Sequence, residues 1–90
     1  MPLAMALEGL AGLSVARRQP QRAAVLLGAA ESIRTRSGTQ LPPQERAEVD
    51  RATAAAVGAF GHEAFAAAIE QGRRMSAQEL AGVLGEDEAG

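Results

Sequence analysis

Few side chains in this chain could do chemistry, and their spacing tests each possibility. The single histidine lies in GHEAF, where His62 and Glu63 begin the pattern of a zinc protease; that pattern needs a second histidine four residues on, and the position holds Ala66. There is no cysteine to supply thiolate ligands or disulfides. His62 and Glu63 therefore read as the first turn of a helix, with Glu63 near the positive end of the dipole. With no Ser-His-Asp spacing and no GxxxxGK[ST] phosphate loop, neither nucleophilic catalysis nor nucleotide binding has visible machinery. The chain reads as a non-enzyme, with no catalytic residue, no metal site and no cofactor.

Glu45, Glu48 and Asp50 cluster in QERAEVDR and raise the possibility of paired carboxylates or a cation site. Arg46 stands four residues before Asp50, however, and Glu48 three before Arg51, which is how solvated helix faces arrange opposite charges. Glu31 with Arg34, and Glu70 with Arg73 or Arg74, repeat the arrangement.

The stretch RRQPQRAA, Arg17 to Ala24, holds three of the nine basic residues. Arg17, Arg18 and Arg22, joined by Arg34 and Arg36, could form an edge that touches nucleic-acid phosphates. Against this, the net charge is -2 and the chain lacks the positive field that draws nucleic acid or an anionic membrane. A helix-turn-helix with its turn at Gly58 to Gly61 would place HEAFAAAIEQ in the major groove, where alanines are too short to reach base edges. These features argue against nucleic-acid binding through these residues, and the corner of a helical hairpin is the preferred reading of RRQPQRAA. DNA binding by a stand-alone regulator through the arginine edge stands as the alternative.

The elements that would position these residues are helices. Leu3, Ala6, Leu7, Leu10, Leu13 and Ser14 or Val15 recur at three and four and predict helix one from Leu3 to about Arg17. Ala23, Leu26, Leu27, Ala30 and Ile33 predict helix two from Pro20 to Ser37, with Pro20 in the first turn and Gly38 as the stop. Helix three follows from Pro43 to about Ala59, with Val49, Thr53, Ala56 and Phe60 on one side. Gly58 and Gly61 weaken it where it should end. Helix four, in HEAFAAAIEQGRR, presents Phe65, Ala68, Ile69 and Gly72. Ser76 and Glu79 have the spacing of a capping box and open a short helix five to Leu84. Nothing alternates with period two, so the fold class is all-α: about five helices in antiparallel hairpins. Residues 1–84 form one domain, with a hairpin over 3–37 and C-terminal helices over 43–84, and residues 85–90 form an acidic disordered tail.

Composition agrees with a helical module that wants neighbours. Hydrophobic residues are 47% of 90, yet many are alanine and the aromatics are Phe60 and Phe65, so the core should be thin. The apolar start carries Glu8, lacks a basic leader and is too short to span a bilayer, which predicts a soluble cytoplasmic protein with no membrane partner.

Leu7, Leu10, Ala11, Ser14, Ala23, Leu27 and Ala30 fall at the signature spacing of a tetratricopeptide hairpin, with Leu7 in place of the favoured tryptophan and Arg18 in place of the turn glycine. The longer run from Leu7 to Leu84 resembles the C-terminal helical region of bacterial transcriptional regulators of the LuxR and AfsR type. That resemblance implies a superhelical surface for protein contacts; the ATPase and DNA-binding activities of such regulators belong to other domains. A repeat hairpin cannot bury its apolar face alone, so helix one should expose an outer side at Leu3, Met5, Leu7 and Leu10. The candidate interaction residues are Leu3, Leu7, Leu10, Arg17, Arg18 and Arg22, and the expected partner is another protein or a second copy in a homodimer.

Overall fold

In the computed structural model, residues 3–76 and 78–82 are described. They form four α-helices, α1 (Leu3–Ala16), α2 (Pro20–Ser37), α3 (Pro43–Phe60) and α4 (His62–Arg73), and a further helical stretch at 78–82. There is no strand among the described residues, and the chain is all-α. The end of the fifth helix at Leu84 and the tail at 85–90 lie outside them.

Each boundary has a local cause. Arg18 adopts a left-handed backbone, φ 61°. Around it the Gln19 N–H donates to Ser14 C=O at 2.8 Å and the Arg18 N–H to Val15 C=O at 3.0 Å, the paired bonds that satisfy the last carbonyls of a helix. Pro20 then starts α2, where its missing N–H costs nothing. At the other end of α2, Gly38 is left-handed at φ 71° and its N–H donates to Arg34 C=O. Pro43 opens α3. Gly61 alone joins α3 to α4: its φ of 92° is closed to side chains, its N–H ends α3 on Val57 C=O at 2.8 Å, and its C=O accepts the Phe65 N–H at 2.9 Å. Ser76 and Glu79 form the predicted capping box, the Ser76 N–H donating to Glu79 Oε1 at 2.9 Å and the Glu79 N–H to Ser76 Oγ at 3.1 Å. This anchors Leu80 in the core.

α2 is the central helix. Its residues Ala23 to Ala30 are buried without a break, so neighbours cover every face. α1 lies against it through Ala4, Leu7, Ala11 and Ser14, and α4 crosses it with almost no side chain between the backbones. A Cβ on Gly28 would run into the Ile69 carbonyl oxygen, and one on Gly72 would run into that of Val25 and come within 2.9 Å of the Ala29 nitrogen. Reciprocal glycines therefore fix the α2–α4 approach. α4 packs far more on α2 than on its sequence neighbour α3, so the second helix pair is not a closed hairpin like α1–α2.

The stripe predicted for α1 is rotated. The buried positions are Ala4, Leu7, Ala11 and Ser14, while Leu13, one of the apolar residues recurring at helical spacing, points outward. α3 likewise buries Ala52 and Ala56 fully and Val49, Thr53 and Phe60 by half. Small residues face the core because the helices are close, and a pattern weighted toward leucine places the stripe too far round.

Candidate interaction surface

Leu7 is fully buried between α1 and α2. It is a core residue, which corrects its place on the outer side: in a hairpin this tight the leucine one turn into α1 fills the seam. Leu10 is half-buried and packs against the same core. Leu3 remains outside at 48% exposure, and Leu13, which the spacing missed as a surface residue, joins it at 43%; among the described residues both large exposed hydrophobics belong to α1.

α1 thus has a buried face, Ala4–Leu7–Ala11–Ser14, and an opposite side of apolar or bare residues: half-buried Met5, then exposed Gly9, Gly12, Leu13 and Ala16. A Cβ at Gly9 or Gly12 would meet nothing within 4 Å, so the backbone there is open to a neighbour. Helices that are apolar all round belong in interiors. α1 carries one charged residue, Glu8, and that one is turned inward.

Glu8 meets Arg34 of α2. The guanidinium donates from Nε to Glu8 Oε2 at 2.7 Å and from Nη2 to Oε1 at 2.8 Å, while Nη1 donates to the Gln40 C=O at 3.1 Å. The side chains are 12% and 10% exposed, so water does little to screen them. Hydrogen bonding to Glu8 raises the Arg34 pKa above its ordinary value, desolvation works against this, and the charges of Glu8 and Glu45 add to it. The helix-spacing partner Glu31 pairs elsewhere, with Arg73 of α4 at 2.7 Å. Arg73 also holds Glu70 at 3.0 Å, and these hydrogen bonds, Glu31 first, raise its pKa. Glu70 reaches Arg74 at 3.7 Å as well. The pairs read from spacing between Arg46 and Asp50 and between Glu48 and Arg51 do not form among the described residues.

The arginine edge comes apart. Arg34 is committed to Glu8, and Arg36 donates to Ser32 Oγ at 3.0 Å. Arg22 is half-buried and engaged. Arg17 and Arg18 are exposed at the corner, and neither side chain has a hydrogen-bond or ion-pair partner among the described residues.

Of the open grooves among the described residues, two lie beside these charges. One, about 610 Å³, runs between α2, α3 and α4 over Leu27, Val49, Phe65 and Ile69, rimmed by Arg34, Arg46, Asp50 and Arg73. The other, about 720 Å³, lies between α1 and α3, with Met5, Gly9, Leu10 and Val49 beside Glu8, Glu45 and Glu48. Glu45 sits in the first turn of α3, and its Oε2 is sealed from solvent without a hydrogen-bond partner. His62 is exposed at the start of α4, and no group of three or more metal-ligating side chains occurs among the described residues. No helix among them is long and apolar enough to cross a membrane. Comparison of the chain with protein-family models, curated proteins and solved structures returns no match.

Proposed function

We propose that the protein is a non-catalytic helical interaction module whose contact surface is the outer side of α1. The observation that carries this reading is the placement of Leu13 in solvent beside Gly9, Gly12 and Ala16, on the outer side of a helix whose lone charge is used internally. Exposed apolar area on a helix that is hydrophobic all round stabilises whatever chain covers it, at about 25 cal/mol per Å² removed from water. The resemblance to the C-terminal helical region of LuxR- and AfsR-type regulators supports the same role, a scaffold for contacts within or between regulatory proteins in the cytoplasm. DNA binding through an arginine edge is less favoured, because Arg34 and Arg36 are spent on intramolecular partners.

The test is fluorescence-detected sedimentation of the chain in extract of the cells that make it. The native chain should sediment above its 9.3 kDa mass, and Leu13→Arg should lose that association with helicity unchanged. A native chain that sediments alone contradicts the module reading.

A further inference from the structure

We propose that the groove between α1 and α3 receives the arginine corner, Arg17 and Arg18, of a second copy of this chain in a two-fold dimer. The inference rests on the module reading above and names the partner. The groove is acidic: Glu45 and Glu48 line it and no basic residue does. Glu48 is exposed and makes no ion pair among the described residues, and Glu45 has an oxygen sealed from water with nothing donating to it. Glu8 also borders the groove but is held by Arg34, so Glu45 and Glu48 are the carboxylates left to bind a cation. An arriving guanidinium, with five N–H donors, can reach exposed Glu48 directly, and it reaches the buried oxygen of Glu45 only where the groove opens to uncover it.

The same chain carries the complement. Arg17 and Arg18 follow the last residue of α1, stand in solvent and have no side-chain partner among the described residues. Two carboxylates and two guanidiniums that make no ion pair among the described residues thus lie on different parts of one molecule, which lets one copy satisfy another. Gly9 and Gly12 line the groove itself and leave the backbone bare for close approach, and Leu13 beside them offers apolar area to cover. A two-fold arrangement makes each charge contact twice and closes, leaving no groove open to propagate a chain of copies.

Sedimentation equilibrium of the purified full chain tests this. The wild type should be a dimer. Arg17→Glu with Arg18→Glu, and separately Glu45→Gln with Glu48→Arg, should each weaken it by at least about tenfold, as truncated or reversed interfacial charge pairs do. Mixing the two variants should restore association, because each then offers what the other has lost. If a reversed variant loses helicity, Arg17→Gln with Arg18→Gln, or Glu48→Gln alone, replaces it and should weaken the dimer less. A monomeric wild type, a dimer indifferent to these substitutions, or a mixture of folded variants that fails to reassociate overturns the proposal. Association in extract by a chain that is monomeric when pure also overturns it, while leaving the module reading intact.

Discussion

Gly72 of α4 rests on the carbonyl of Val25 in α2, with no room between them for a methyl group. Gly28 makes the same contact in the other direction, against Ile69. The pair sets the α2–α4 separation, which in turn brings alanines rather than large side chains into the seam.

Gly72→Ala should therefore destabilise the fold by about 1–3 kcal/mol, the cost of forcing atoms into a packed contact. Gly58, on the exposed side of α3 with nothing within 4 Å of a Cβ, should respond oppositely: Gly58→Ala should stabilise by about 0.5–1 kcal/mol through helix propensity. Urea melts of the two variants should move in opposite directions, and a shift of the same sign would contradict the packing described for α2 and α4.

Arg18 occupies a left-handed position that glycine takes without strain. At concentrations where the chain is monomeric, Arg18→Gly should raise stability by roughly 0.5–1 kcal/mol, the relief of the left-handed cost less the entropy glycine loses on folding. A lower thermal midpoint for the monomeric variant would mean that the arginine side chain contributes to the monomer.

Arg34 ties α1, α2 and the loop at Gln40 together. Arg34→Met should cost about 2 kcal/mol, between the values for exposed and for buried pairs, because it leaves Glu8 half-buried without its partner. Arg34→Lys should recover only part, since an ammonium cannot reproduce the two-pronged contact. The pH dependence has a definite sign. Folding raises the Arg34 pKa, so the stability linked to it is fully present below the unfolded arginine pKa and is lost only as pH climbs through the folded value, in strong alkali. Between about pH 6 and 9 the arginine side of this pair should therefore contribute a constant amount, and a stability difference between wild type and Arg34→Met that falls steadily as pH rises through that range would contradict it.

The Ser76–Glu79 capping box holds the helical turn that carries Leu80 into the core. Ser76→Ala should cost about 1 kcal/mol and show first as faster amide exchange at residues 78–82. Unchanged exchange there would contradict the capping geometry.

Much of the frame was legible in sequence because its signals are local. Pro20, Gly38 and Pro43 mark their boundaries through backbone restrictions that act wherever they occur, and Ser76 with Glu79 bond across three residues. What sequence missed depends on tertiary contact. Arg34 has Glu31 at helical spacing but pairs with Glu8, 26 residues away, because the shielded seam between α1 and α2 strengthens that contact. Gly72 was legible as part of the packing face of helix four and is buried there, but Gly28 looks like a weak helix position until the crossing the two glycines permit is seen. Leu7 and Leu13 exchanged roles for a similar reason: a seam narrow enough for Ala4 and Ala11 turns α1 so that Leu13 faces out. The three-and-four spacing of Ala4, Leu7, Ala11 and Ser14 was the available signal, hidden by small residues that hydrophobic patterns underweight.

The central claim is that another chain covers the outer side of α1. A photo-crosslinking amino acid at position 13, introduced into the full chain in the cells that make it, measures this most directly, with exposed Ala55 on α3 as the control position. The account predicts a discrete adduct from position 13 and none from position 55. No adduct from position 13, or equal diffuse labelling from both, would contradict it.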